Sequence, residues 1–430
     1  MLLRFLAGLL VGTGLVSASL VVVAETKVTA APEVASGVYE PGQVVKWNVA
    51  VMDNDKPVAG KIQYSVRKGG LTETSAGDAE LSEGKVQVSS QRDEPGTLLL
   101  TLKFKLSPES KEIVVHCGAA IAPQKIVASS APPEDFDPFW KAKIAELDAV
   151  PMNVKLEAID VKDPGVEYFK ITFDNVRGRK IYGQLAKPAG KSNLPALLQV
   201  QWAGVYPLQR DWVLGQARNG WLSLNISAHD LPIDQPDSFY KEKAGKELND
   251  YPGIGNDDRE TSYFLPMFLS CRRAVDYLAQ HPDWNKQALV VQGGSQGGYQ
   301  ALVTAGLHPA VTALAASVPA GCDHTGKPAG RSPGWPNWAG RTWQGKNEAK
   351  MLTASRYFDA MNFATRIKCP ALVGVGLADT VCPSEGVLAT CNQIQGPKTI
   401  VIMPRADHGG DHKDYYLKFG PFLDEQKKRQ

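Results

Sequence analysis

A serine between paired glycines, in the segment Gly293–Gly298 (GGSQGG), constrains the fold of this chain more than any other feature. An apolar segment at 288–291 precedes it, and a segment typical of a helix follows at 299–307. The order is therefore strand, sharp turn and helix, with Ser295 at the apex. Such a turn needs glycine because no Cβ atom fits where strand and helix cross closely. The segment predicts an exposed nucleophile at the end of a sheet strand, and an ordinary glycine-rich turn is the alternative.

Length and composition set the broad class. With 430 residues, 43% of them hydrophobic, the chain is long enough for two domains with a sizeable core. A formal net charge of +2 indicates neither a nucleic acid nor an anionic membrane as a partner. The six cysteines contain no CxxC pair, which argues against a zinc site. We expect mostly buried free thiols, with disulfide bonds as the alternative in an oxidising compartment.

The start of the chain has the pattern of a signal peptide. Arg4 supplies a positive charge, the segment 5–23 is almost entirely small or apolar, and Ala24 ends a run of small residues suited to cleavage. Residues 1–24 therefore predict a secreted or periplasmic protein without a membrane partner after cleavage. An uncleaved N-terminal membrane anchor is the alternative, because the apolar segment approaches spanning length.

Residues 25–122 alternate between apolar and polar side chains, as in the segment 45–51 around Trp47. Short alternating strands separated by turn residues predict an Ig-like antiparallel β-sandwich. We expect Trp47 to pack in its core. A packing or spacer module is the favoured role for this domain, and carbohydrate binding is the alternative.

Residues 123–133 are predicted to be a linker, and 134–430 a second domain. Helical spacing predicts a helix over Glu134–Asp148, and Phe264–His281 is the clearest helix. Alternation of strands and helices indicates α/β class: a mostly parallel sheet with helices on both faces. The predicted strands are 169–173, 181–185, 196–201, 221–226, 289–292, 371–375 and 399–403.

Two further residues complete a catalytic pattern with Ser295. A serine hydroxyl becomes an effective nucleophile when a histidine accepts its proton and a carboxylate orients that histidine. Asp379 follows the predicted strand 371–375, and His408 follows the predicted strand 399–403. This is the chain order of acid and base after a serine in such a fold.

Other residues compete for these roles. His412 is an alternative base, while Asp323 and Asp407 are alternative acids. The acidic and imidazole side chains at 407–412 also permit a metal site, but without a third remote ligand we predict no metal. For the oxyanion hole we expect the backbone N–H of Gln296 and a second N–H from the loop 202–206, where Gly204 allows close approach.

Several segments together resemble the acetyl xylan esterase / cephalosporin-C deacetylase family of α/β-hydrolases. They are Asp135–Trp140, Gly293–Gly298, Tyr357–Phe363, Arg366–Pro370, Val373–Asp379, Cys382–Pro383 and Gly396–Lys398. The likeness covers about 133–422. It implies a serine esterase that removes acetyl groups without a cofactor, with Ser295, Asp379 and His408 as the triad and Gln296 at the oxyanion hole.

The chain departs from this family at two places. Where the family has an aromatic-x-Gly-Tyr pattern, Val205 follows the glycine, so Val205 is the predicted second oxyanion donor and Tyr206 comes one residue later. The segment 321–349 is rich in tryptophan and glycine and does not match the family cleanly. Tyr206, Trp335 and Trp338 are candidate substrate contacts, and packing of the tryptophans in a lid is the alternative.

These features predict an exported serine esterase that acts on an acetylated polysaccharide, oligosaccharide or small acetyl ester through an acyl-enzyme. One alternative is an exported serine peptidase of the prolyl-oligopeptidase type, although about a hundred residues ahead of the catalytic domain are too few for its β-propeller. The other is a non-catalytic surface protein that binds glycans.

Overall fold

The computed structural model describes residues 26–341 and 345–428. The predicted signal peptide, residues 1–24, lies outside these ranges. Within them, no helix combines the length and the apolar character needed to cross a membrane.

Nine strands precede the first α-helix, and the remaining nine strands are interspersed with the helices. The strands are β1 Thr26–Pro32, β2 Val38–Tyr39, β3 Val44–Asp53, β4 Lys56–Pro57, β5 Gly60–Lys68, β6 Thr72–Leu81, β7 Lys85–Gln91, β8 Gly96–Phe104, β9 Ile113–Ile121, β10 Lys155–Ala158, β11 Val166–Asp174, β12 Lys180–Pro188, β13 Leu194–Val200, β14 Leu222–Ile226, β15 Trp284–Gly294, β16 Ala313–Ser317, β17 Ala371–Gly376 and β18 Lys398–Met403. The helices are α1 Phe136–Asp148, α2 Asp211–Arg218, α3 Asp237–Gly245, α4 Phe264–Gln280, α5 Gln296–Leu307, α6 Glu348–Ser355, α7 Ala360–Ala364, α8 Ser384–Gln393 and α9 Lys413–Lys427.

The first nine strands form two sheets around one core. One sheet has the order β1-β3-β4, with β7 also paired to β3, and the other has the order β2-β9-β8-β5-β6. All neighbours are antiparallel except β2 and β9. Alternate side chains of β3 and β8 face the shared core, where Trp47 and Leu98 are fully buried. The period-two pattern therefore predicted the buried face of each sheet.

The remaining strands form a nine-stranded sheet in the order β10-β11-β12-β14-β13-β15-β16-β17-β18. The six strands β13 to β18 are parallel to one another. The strands β10, β11 and β12 extend the sheet beyond β14 in antiparallel pairs. Successive residues of β13 face opposite sides: Leu198 packs in the core with α4 and α5, whereas Leu197 packs with Leu423 of α9. Helices cover both faces, as the sequence predicted.

Two strands of this sheet were not predicted. The strand β16 has the sequence ALAAS, and β10 is a short exposed strand at the edge of the sheet. Alanine has a weak preference for strands. Its small side chains suit β16 because this strand is buried on both faces between β15 and β17.

The segment predicted as a linker, 123–133, lies against the larger domain. Asn392 of α8 donates hydrogen bonds of 2.8 Å to the carbonyl oxygens of Pro123 and Ile126. Ile126 is buried in the same core as the helices that cover the sheet. The first part of this segment is therefore anchored rather than extended between domains.

Candidate active site

Ser295 lies on the sharp turn between β15 and α5. Its φ of 54° and ψ of −122° are strained for a residue with a side chain. A Cβ on Gly293 would lie 2.5 Å from the carbonyl carbon of Gly297, and a Cβ on Gly297 would lie 2.6 Å from the carbonyl oxygen of Val200. Both positions therefore require glycine, and the turn holds Ser295 at the carboxyl edge of the sheet.

The structure brings Ser295, His408 and Asp379 into one hydrogen-bonded series. His408 Nε2 lies 2.9 Å from Ser295 Oγ, and His408 Nδ1 lies 2.8 Å from Asp379 Oδ2. A carboxylate oxygen accepts, so Nδ1 carries the proton and donates it to Asp379. His408 Nε2 is then free to accept from the Ser295 hydroxyl.

The sheet and the local backbone hold Asp379 in place. The adjacent parallel strands β17 and β18 end at Gly376 and Met403, so the loops that follow them meet at one edge. The carboxylate of Asp379 is buried, and its Oδ1 accepts hydrogen bonds of 2.8 and 2.7 Å from the N–H groups of Val381 and Cys382. One oxygen is therefore held by the backbone while the other faces His408.

The alternative acids and base lie elsewhere. His412 Nε2 is 2.8 Å from the carbonyl oxygen of Asp407, and the side chain of Asp407 is exposed. Asp323 is buried in an ion pair with Arg331. Among the described residues, three potential metal ligands come within 4.8 Å of one another at Asp379, Cys382 and His408, not at 407–412.

Two backbone N–H groups are available near Ser295. Gln296 is the first residue of α5, so its N–H has no acceptor within the helix. Across the described ranges 26–341 and 345–428, no acceptor bonds to the N–H of Val205 either. The loop that contains Val205 lies beside the serine turn: a Cβ on Gly297 would lie 2.6 Å from the carbonyl oxygen of Val200, and the Tyr251 hydroxyl bonds to both the Gly204 N–H and Gln296 Oε1.

A buried histidine and a tyrosine hold the loop that contains Val205. Gly204 has a φ of +118°, a region that favours glycine. His229 Nε2 donates a 3.0 Å hydrogen bond to the carbonyl oxygen of Gly204, and His229 Nδ1 accepts one of 2.8 Å from the Tyr263 hydroxyl. The Tyr251 hydroxyl donates to Gln296 Oε1 and accepts from the Gly204 N–H at 3.4 Å. Burial lowers the pKa of His229 to about 4, which keeps its imidazole neutral at pH 7.

Comparison with known proteins identifies the family. A family profile described as Acetyl xylan esterase (AXE1) matches residues 124–419. This chain belongs to the acetyl xylan esterase family. The acetyl esterase Axe7A of Xylanibacter ruminicola is 31% identical over 382 residues, which cover 88% of this chain and 85% of that protein. Membership of this family makes the chain a carboxylic ester hydrolase of the acetylesterase class.

Solved structures of acetyl xylan esterases share the fold of the larger domain. Acetyl xylan esterase 1 from Thermoanaerobacterium sp. JW/SL YS485 superposes with a TM-score of 0.62 at 24% identity, covering 70% of this chain and 97% of that one. The enzyme from Paenibacillus sp. R4 gives 0.61 at 22% identity, covering 72% of this chain and 98% of that one. The α/β-hydrolase fold predicted from the sequence is therefore confirmed.

The aromatic residues predicted to contact substrate have different environments. Trp338 is 2% exposed, its ring stacks on Phe264 and Phe358, and its indole N–H donates to the carbonyl oxygen of Asn256. The interpretation of Trp338 as a substrate contact is therefore corrected: it is a core residue. Composition cannot reveal this, because the burial of Trp338 depends on residues in other segments of the chain, such as Phe264 and Phe358.

The other two candidates are half-buried. Trp335 packs against the core near Tyr251, whose hydroxyl bonds to Gly204 in the loop that contains Val205. The ring of Tyr206 stacks against the ring of Trp202. Trp343, the remaining tryptophan of that glycine-rich segment, lies outside the described residues.

Sequence reasoning missed two side chains in this acetyl xylan esterase site. The Cys382 thiol is buried beside Asp379 and His408, and burial raises its pKa well above the ordinary value. Cys117, Cys271, Cys322 and Cys391 are likewise buried free thiols, as expected. Trp202 is 45% exposed at the carboxyl end of β13. The sequence did contain a signal for Trp202, because this aromatic residue directly follows the predicted strand 196–201.

Proposed function

We propose that this protein removes acetyl groups from acetylated carbohydrates, with Ser295 as the nucleophile, His408 as the general base and Asp379 as the residue that orients it. The observation that carries the proposal is the hydrogen-bonded series from Ser295 Oγ through His408 to Asp379, at 2.9 and 2.8 Å. The match to the acetyl xylan esterase family and a relative named acetyl esterase support the choice of an acetyl ester on a sugar.

In the first half of the reaction, Ser295 Oγ attacks the acetyl carbonyl carbon and its proton passes to His408 Nε2. Asp379 keeps the hydrogen bond to Nδ1–H and offsets the charge of the imidazolium. The carbonyl oxygen becomes negative and accepts hydrogen bonds from the N–H groups of Gln296 and Val205. As the bond between the acyl carbon and the sugar oxygen breaks, His408 gives its proton to that oxygen.

In the second half, water releases acetate from the acetylated Ser295. His408 accepts a proton from the water as its oxygen attacks the acyl carbon. The tetrahedral intermediate uses the same two N–H groups. When the bond to Ser295 Oγ breaks, His408 returns the proton to the serine, and acetic acid leaves as acetate after losing its proton to solvent.

Acetate release from acetylated xylan and from p-nitrophenyl acetate tests this function. We expect wild-type protein to act on both substrates and Ser295→Ala to lose at least about a thousandfold in kcat. Ser89→Ala, at an exposed serine of β7, is the control and should keep full activity. An unchanged rate in Ser295→Ala would overturn the mechanism.

Activity on a peptide anilide without activity on acetate esters would favour the peptidase. Glycan binding without hydrolysis of any ester would favour the non-catalytic alternative.

Export is part of the proposal and rests on the basic and apolar pattern of residues 1–24. Expression of the whole chain in a bacterial host, followed by N-terminal sequencing of the protein outside the inner membrane, tests it. We expect a mature chain that begins near Glu25. Full-length protein retained in the cytoplasm would contradict export, and full-length protein in the membrane would favour the anchor.

A further inference from the structure

Trp202 stands out among the large aromatic side chains near Ser295. Trp202 is 45% exposed, whereas the other seven tryptophans of the described ranges are buried, as Trp47 and Trp221 are, or half-buried. It lies two residues beyond the end of β13, on the loop that also contains Gly204 and Val205. Because this indole is not buried in the protein, its apolar surface is available for contact with a ligand.

The surrounding rings hold Trp202 in a fixed position. Tyr206 stacks against it with ring centres 5.4 Å apart and an angle of 29°, and Trp212 of α2 meets it at 4.8 Å and 61°. The Tyr206 hydroxyl donates a 2.9 Å hydrogen bond to the Trp202 carbonyl oxygen. Gln201 in turn donates to the carbonyl oxygen of Tyr206 at 3.2 Å. The exposed indole is therefore a prearranged surface.

This surface lies beside the serine turn. The strands β13 and β15 are parallel neighbours, with Gln199 opposite Gln292, and adjacent strands are about 4.8 Å apart. A Cβ on Gly297 would meet Val200 and Gln201, so the loop directly borders the first turn of α5. Trp202 therefore stands at the same edge of the sheet as Ser295, one strand away.

We propose that Trp202 stacks against a sugar ring of the acetylated carbohydrate and so places the acetyl ester over Ser295. A pyranose ring presents a flat face of C–H groups, which packs well on an open indole, while its hydroxyl groups stay in water. A small alkyl acetate such as ethyl acetate has no ring to place there. Trp202 would thus select carbohydrate esters over small esters. This inference rests on the proposed function.

The decisive measurement is the ratio of kcat/KM for acetylated xylo-oligosaccharides to kcat/KM for ethyl acetate, which carries no ring. We expect Trp202→Ala to lower this ratio about tenfold, mainly through a higher KM for the oligosaccharide. Trp202→Phe should recover much of it, since a ring remains. Tyr416→Ala, at a 59% exposed aromatic of α9, is the matched control and should keep the wild-type ratio. An unchanged ratio in Trp202→Ala overturns the inference.

A binding measurement separates stacking from effects on the chemical step. In protein made inactive by Ser295→Ala, calorimetry with acetylated xylo-oligosaccharides should show binding about tenfold weaker when Trp202→Ala is added. Equal affinity in the two proteins overturns the role of Trp202 even if the wild-type enzyme hydrolyses the oligosaccharide. Failure of the wild-type enzyme to release acetate from any acetylated sugar would instead overturn the proposed function, and this inference with it.

Discussion

A single proton position controls the chemistry proposed for Ser295. His408 can accept from Ser295 only while its other nitrogen, Nδ1, holds a proton, and the hydrogen bond to Asp379 selects that tautomer. Asp379 is itself oriented by two backbone N–H groups. The backbone around Asp379 therefore helps to select the tautomer of His408.

Replacement of the acid tests this dependence. Asp379→Asn should lower kcat for acetate release by roughly a thousand- to ten-thousandfold, because an amide in place of the carboxylate favours the wrong tautomer of His408. Asp407→Asn is the control: it removes an exposed carboxylate next to His408 in the chain and should change kcat less than twofold. A larger loss in Asp407→Asn than in Asp379→Asn would show that the acid is assigned wrongly.

The buried His229 predicts how stability depends on pH. Its folded pKa is about 4, against 6.5 ordinarily. Above pH 6.5 the imidazole is neutral in both states, and stability is complete. As pH falls from 6.5 to 4, the unfolded chain binds a proton that the folded protein does not, so the free energy of unfolding falls by about 3 kcal/mol.

Urea unfolding at several pH values between 4 and 7 measures this effect. His229→Gln should show a shallower loss of stability than wild-type protein as pH falls, since the titrating group is gone. His412→Gln, on the surface loop, should keep the wild-type slope. Parallel curves for wild-type protein and His229→Gln would contradict the assignment.

At the scale of elements, the site depends on how closely β15 and α5 cross. The strained Ser295 backbone exists because Gly293 and Gly297 permit this approach. Gly294, between them in the chain, has more room: a Cβ there would come no closer than 3.8 Å to the carbonyl oxygen of Ser317.

Gly297 and Gly294 therefore form a matched pair for mutation. Gly297→Ala would push a Cβ to 2.6 Å from a backbone oxygen, and we expect a loss of about 2 kcal/mol or more in the free energy of unfolding, together with loss of acetate release. Gly294→Ala should stay within about 1 kcal/mol of wild-type protein. Thermal unfolding and ester hydrolysis measure both, and equal stability of the two variants would argue against the close crossing.

At the scale of the whole molecule, a buried ion network joins the N-terminal sheets to the catalytic domain. Glu385 of α8 is 2% exposed and pairs with Arg92 at 2.7 Å and with Arg331 at 3.2 Å. It also accepts a 2.7 Å hydrogen bond from the N–H of Thr97 in β8. Nearby, Gly118 of β9 donates to the carbonyl oxygen of Pro404, close before His408. The N-terminal sheets therefore pack against the catalytic domain through buried polar contacts.

Loss of Arg92 should be costly. Arg92→Ala leaves Glu385 buried with one partner fewer, and we expect the free energy of unfolding to fall by about 3–5 kcal/mol. Lys61→Ala is the matched control, because its ion pair with Glu80 is exposed and such pairs contribute about 1 kcal/mol or less. Urea unfolding compares the two. A similar, small change in both variants would mean that the domains do not depend on this network.

Local patterns predicted much of this architecture. The strand, turn and helix around Ser295, and the places of Asp379 and His408 after strands, follow from short-range spacing that is visible in the chain. The alanine-rich strand β16 escaped prediction because its strand conformation comes from burial between two neighbours, not from its own preference.

The sequence alone determined the fold class and the order of the three residues around which the proposed mechanism is built, because both depend on periodicity and on chain order at strand ends. Only the tertiary structure decided which aromatic rings are exposed to solvent. Trp338 and Trp202 each precede a glycine by two residues, yet Phe264 and Phe358 pack on the first ring, while the second stays exposed at the edge of the sheet. Exposure depends on contacts between segments far apart in sequence, so no local pattern contains it.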